Sequence, residues 1–172
     1  MKKFYSFFLA YFLLQQFVLA QTNLIGAENF SINLPQDYKR TIGNNHLASV
    51  QWEHNELEIY GYLIFENIDE LKIAEINTDL NSYTDLALKD FIDYENYKLI
   101  ESKRYKTKNG KETICKLISY YNPDLDVTIL LQLNSYATKN FIYKMINFGA
   151  EDTFSLNRQH VESISKNINL PK

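Results

Sequence analysis

Apolar and polar residues alternate along much of this 172-residue chain, and where the alternation stops the period becomes that of a helix. Phe30, Ile32 and Leu34 are separated by Ser31 and Asn33 and followed by Pro35, which reads as a half-buried strand closed by a residue that cannot extend a ladder. Ala48, Val50 and Trp52 alternate with Ser49, Gln51 and Glu53 in a second strand, and a third spans residues 57–65 after a turn at 54–56. These two read as a hairpin. Between residues 68 and 95, Leu80, Tyr83, Ala87, Phe91 and Tyr94 recur at spacings of three and four, with Ser82 and Asp85 in capping-box spacing. The spacing predicts one helix of about three to four turns whose single apolar stripe packs on a flat surface. Residues 98–107 and 111–121 then flank Asn109-Gly110, the strongest short hairpin signal, and residues 126–136 and 141–148 form the next strand pair. Phe154, Val161, Ile164 and Ile168 line one face of a last helix, and Pro171 lies beyond its end.

The strands differ in a way that predicts layers. Leu63, Ile64, Phe65 and Ile129, Leu130, Leu131 are apolar at consecutive positions, so both of their faces need cover, whereas residues 99–105 are mixed and charged and suit an edge. The expected architecture is α+β: a largely antiparallel sheet of about six to seven strands with helices on both faces.

The N-terminus adds a destination. Lys2 and Lys3 precede an almost uncharged apolar run from Phe4 to Ala20, the pattern of a signal peptide at residues 1–20 cut between Ala20 and Gln21. Gln15 and Gln16 interrupt the run, which is shorter than the roughly 20 apolar residues of a spanning helix, so no stable membrane insertion is expected after cleavage. The only cysteine is Cys115, so the mature N-terminus offers no site for lipid. Residues 21–172 then form a single domain, periplasmic or secreted, held by a hydrophobic core without an internal disulfide. Cleavage removes two of the 18 basic residues and none of the 21 acidic ones, moving the net charge from −3 to −5. The one dense basic group, Lys103, Arg104, Lys106, Lys108 and Lys111, brackets the Asn-Gly turn and reads as a solvated hairpin tip, so nucleic acid is not an expected partner.

This order of elements resembles the PsbP and DcrB-like family. Phe30-Ser31-Ile32-Asn33-Leu34-Pro35 followed by Tyr38 resembles that family's first strand and turn. Phe141-Ile142-Tyr143-Lys144-Met145-Ile146, then Glu151-Asp152-Thr153-Phe154 and a last helix, resembles its close. The match is one of pattern and order over most of residues 28–170. The resemblance implies an α-β-α sandwich. It also implies a tendency to bind other proteins, since the family spans photosystem subunits, bacterial envelope proteins and a Ran-binding factor. It assigns no residue a role.

Candidate chemistry is sparse. The chain contains no Gly-x-Ser-x-Gly, His-Glu-x-x-His or Gly-rich phosphate loop, so no catalytic residue and no cofactor is expected. His54 and Glu56 stand close enough to share a metal, with Glu53 or Glu58 as a third ligand. The plainer reading is a charged hairpin tip, since zinc sites draw mainly on His and Cys. His46 lies about 26 Å from His54 along a straight strand, too far to share that metal, and His160 has no recognisable partner. Asn122, Asp124 and Asp126 imitate the start of a calcium loop, but Val127 and Leu133 occupy positions where Gly and Glu are required, so a turn is favoured. Trp52 reads as core. A two-residue Asn-Gly turn would set Arg104 opposite Cys115, Ser102 opposite Leu117 and Ile100 opposite Ser119, leaving Cys115 either a thiolate beside a guanidinium or an inert buried hydrophobe. The second is favoured. The expectation is an exported accessory protein that binds a protein partner in the envelope without catalysis. The alternatives are a small-molecule or metal carrier and a hydrolase with a dispersed site, for which a deep polar cleft is the discriminating feature.

Overall fold

The computed structural model describes residues 22–25 and 30–171, so the expected signal peptide and its Ala20–Gln21 junction lie outside the described residues. Among the described residues the elements follow in the order β1 (Thr22–Ile25), β2 (Ser31–Leu34), β3 (Lys39–Thr41), β4 (Val50–His54), β5 (Ile59–Asn67), α1 (Ile68–Ile73), α2 (Leu80–Ala87), α3 (Lys89–Ile92), β6 (Lys98–Lys106), β7 (Glu112–Asn122), β8 (Val127–Ala137), β9 (Phe141–Ala150), α4 (Glu151–Leu156), α5 (Arg158–Lys166) and β10 (Ile168–Asn169). Seven strands make one sheet in the order β3-β4-β5-β9-β8-β7-β6, every neighbouring pair antiparallel. A second sheet, β1-β2-β10, is also antiparallel.

Because side chains alternate across a strand, the large sheet has two distinct faces. One carries Trp52, Leu63, Leu117, Leu130 and Met145, packed against Phe30, against Ile32 and Leu34 of the small sheet, and against Phe154, Val161 and Ile164 of α4 and α5. The other carries Ile118, Ile129, Leu131, Leu133 and Ile146 beneath Leu88 and Phe91, continued by Leu71, Tyr83 and Ile142. Helices thus cover both faces, and β6 sits at an edge, as its mixed sequence requires.

Several local expectations are corrected. Ser31–Leu34 belongs to the small sheet, and an unforeseen strand, β3, completes the seven; Lys39 and Arg40 are exposed there and give no alternation of hydrophobicity. The single helix predicted over 68–95 is three short ones. Asn67 caps α1 by accepting from the backbone N–H groups of Asp69 and Glu70, and Asp79 caps α2 by accepting from that of Ser82. A carboxylate one turn earlier takes the capping role expected of Ser82. The last helix divides at Asn157, and Ile168, expected on its face, lies in β10.

The hairpin register also moves by one residue. Thr107 N–H donates to the Lys111 carbonyl at 2.9 Å and Gly110 N–H to the Thr107 carbonyl at 2.9 Å, closing a three-residue loop with Gly110 at φ +78°. A left-handed glycine after a tight turn is the usual three-residue solution, and it places Lys103 opposite Cys115 and Arg104 opposite Ile114. The same register sets Glu101 opposite Leu117, and a bulge between Leu99 and Glu101 then sets Lys98 opposite Ser119.

Candidate functional site

Polar side chains converge on the face beneath α5. Gln132, Asn134 and Tyr136 occupy alternate positions of β8, so all three point the same way, and Asn147 of β9 sits directly across from Gln132. Ser165 reaches them from α5. Its hydroxyl donates to Gln132 Oε1 at 2.9 Å and accepts from Asn134 Nδ2 at 3.0 Å. The Asn134 amide also donates to Gln132 at 3.0 Å, and its oxygen accepts from the Tyr105 hydroxyl at 2.8 Å. Tyr136 donates to the Ser165 carbonyl at 2.9 Å. At the far end the Trp52 indole N–H donates to Asn147 Oδ1 at 3.1 Å, and Asn147 Nδ2 lies 3.5 Å from Ser165 Oγ. Gly61 makes room: a Cβ there would clash with Nε1 and Cε2 of the Trp52 indole and come within 2.6 Å of Asn147 Oδ1.

Burial sets the protonation of these groups. It raises the phenols of Tyr105 and Tyr136, and it pushes the neighbouring Cys115 thiol up to about 12. All three are therefore protonated at neutral pH and act as donors or as packing. Cys115 is buried, so its side chain follows the inert reading.

An ion-pair set lies at the rim between β6 and α5. Lys103 Nζ is 3.0 Å from both Glu101 and Glu162; Arg158 pairs with Glu101 and approaches Glu162 at 3.2 Å; Lys166 reaches Glu162 at 3.1 Å. Burial raises the Glu162 carboxyl, but bonds from Lys103 and Lys166 outweigh it and hold the group at about 2. These bonds tie the helix to the edge strand over the polar groups.

The residues singled out from sequence are scattered. His54 is buried, its ring edge-on to Tyr38 at 5.0 Å and its Nδ1 accepting from Leu57 N–H at 3.4 Å, while Glu56 and Glu58 are exposed and Glu53 pairs with Lys39 at 3.5 Å. His46 and His160 are exposed. Among the described residues no group of three His, Cys, Asp or Glu side chains is placed to hold a metal. Asn122 accepts from the N–H groups of Asp124 and Leu125, the bonding of a turn. Trp52 is fully buried in the core. Sequence reasoning missed Gln132, Asn134, Asn147 and Ser165, although the alternation of Gln132, Asn134 and Tyr136 within an apolar strand was a usable signal.

No protein-family model and no curated protein matches the sequence. Solved structures do. The cyanobacterial PsbP protein CyanoP of Synechocystis sp. PCC 6803 is similar at 8% identity with a TM-score of 0.61, over 90% of this chain and 94% of that one. LpqN of Mycobacterium tuberculosis, described as involved in cell envelope biogenesis, is similar at 8% identity with a TM-score of 0.63, over 92% and 95%. A protein from Bacteroides thetaiotaomicron VPI-5482 gives 10% identity and a TM-score of 0.57, over 88% of this chain and 48% of that one. At such identities the likeness is one of fold, and this chain has the fold of PsbP, an α-β-α sandwich.

Proposed function

We propose that the chain is an exported accessory protein of the cell envelope, periplasmic or secreted, that acts by binding another protein and has no catalysis of its own. The observation that carries this reading is the state of the converging polar groups: α5 lies over them, and Gln132, Asn134, Asn147 and Ser165 are bonded to one another. Their hydrogen-bonding capacity is used in holding the fold, whereas a site for turnover presents such groups to a substrate. The signal-like N-terminus and the envelope role named for LpqN support the location.

Affinity purification of the mature protein from its native envelope fraction, with proteins, metals and small molecules all identified, tests the reading. The expected result is Gln21 as the mature N-terminus and one protein recovered in near-stoichiometric yield, retained when His46 and His160 are both changed to alanine. A co-purifying metal or small molecule without a protein, or full-length precursor in the washed membrane, would contradict it.

A further inference from the structure

The two edges of the large sheet are unequal. β3 offers three residues, too few to template another strand, whereas β6 offers nine and is exposed along its outer side. Working back from the Thr107–Lys111 closure, the antiparallel alternation turns the backbone groups of Tyr105, Lys103 and Glu101 toward β7 and those of Lys106, Arg104 and Ser102 away from it. From Glu101 to Lys106 the register is unbroken, so this half of the edge is regular.

Its side chains select an occupant. Lys103 and Glu101 are engaged with α5, but among the described residues neither Arg104 nor Lys106 is held in an ion pair, and both are exposed. Arg104 feels the field of Asp79 at the start of α2. Beside them a hollow of about 310 Å³ opens between Leu80 and Ile114, with Arg104 and Lys106 on its wall against the single acidic side chain of Glu112. Lys108 and Lys111 add further positive charge at the hairpin tip. A second copy fits this edge poorly, because Lys98, Lys103, Arg104 and Lys106 outnumber Glu101, and antiparallel self-pairing would set cations against cations.

We propose that β6 binds an extended acidic segment of a partner protein by strand addition. The segment bonds to the outward backbone groups of Ser102, Arg104 and Lys106, sets a carboxylate against Arg104 and Lys106, and drops an apolar side chain into the hollow at Leu80 and Ile114. This deepens the accessory-protein reading and rests on it.

The probe is an acetylated heptapeptide of alternating valine and glutamate, titrated into the mature protein and followed by amide NMR. Binding should shift and protect the Ser102, Arg104 and Lys106 amides. Replacing glutamate by lysine in the peptide, or making the Arg104→Glu and Lys106→Glu double variant, should weaken it by about tenfold or more. Ser102→Pro removes one outward N–H at an edge position that tolerates proline, and should abolish binding with an unchanged melting temperature. Equal binding of the lysine peptide, shifts confined to other strands, or β6 amides already protected in a concentration-dependent dimer would each overturn the proposal. So would recovery of the native partner by Ser102→Pro at the wild-type level, which would leave the accessory reading standing, whereas loss of that recovery supports both.

Discussion

The two faces of the large sheet are built from the same alternating strands but are held in different ways. Beneath α2 and α3 the buried centre is apolar, with Ile118, Leu131, Leu133 and Ile146 meeting Leu88 and Phe91, and the polar bonds of Tyr83 to Glu66 and of Lys116 to Asp85 lie around it. Beneath α5 an apolar ring surrounds a polar centre of Gln132, Asn134, Asn147, Tyr136 and Ser165. Burial of apolar area is non-directional, so the buried centre of the first face specifies contact and leaves position to the bonds at its margin. Bonds between buried polar groups demand one geometry, so the second fixes where α5 lies along the sheet. The difference is that polar groups converging under α5 are bonded to one another and to that helix, and so fix its position.

The largest expected effect is at Gly61. Gly61→Ala drives a methyl group into the Trp52 indole and displaces its bond to Asn147. The loss should be about 4 kcal/mol, combining overpacking with an orphaned buried donor, read from the denaturant midpoint. On the apolar face Leu131→Ala should cost about 3 kcal/mol through its cavity.

Ser165→Ala should cost about 1–2 kcal/mol, and here the faces part company. Combined with Asn134→Ala it should show a coupling of about 1 kcal/mol, because the two side chains are bonded to each other. Combined with Leu131→Ala, across the sheet, it should add within about 0.5 kcal/mol. A double-mutant cycle with no coupling at Asn134 would break the contrast.

A smaller effect belongs to the rim. Glu162 titrates at about 2 in the folded protein against an ordinary 4.5, so it contributes stability that is fully present above about 4.5 and is lost as the pH falls toward 2. Glu162→Gln should lower stability at neutral pH and flatten the acid limb of the profile, leaving the slope of its neutral limb unchanged. The smallest expected effect concerns Cys115: a chromogenic disulfide reagent at neutral pH should label the native protein slowly and the denatured protein quickly, since the thiol is buried and protonated.

The layers were legible because burial leaves a direct trace. Runs such as Ile129, Leu130 and Leu131 require cover on both sides and receive it, and the mixed residues of β6 lie at the edge. β3 was not legible, since its Lys39 and Arg40 lack an apolar period and it exists through pairing with β4. The register of the β6–β7 hairpin was misread because Asn-Gly suits both two- and three-residue loops, and only the bonds of Thr107 choose between them. The polar cluster was half legible. Gln132, Asn134 and Tyr136 carry a period of two in one strand, but Ser165, Asn147 and Trp52 join them from elements far apart in sequence.

The central claim is that this polar cluster is a sealed part of the fold, and the Trp52 indole N–H reports on it directly. Its hydrogen exchange, measured by NMR across low denaturant concentrations, should occur only through global unfolding, with the full denaturant dependence of the slowest backbone amides. Rapid exchange independent of denaturant would show that α5 opens over a solvent-accessible site and would contradict the account.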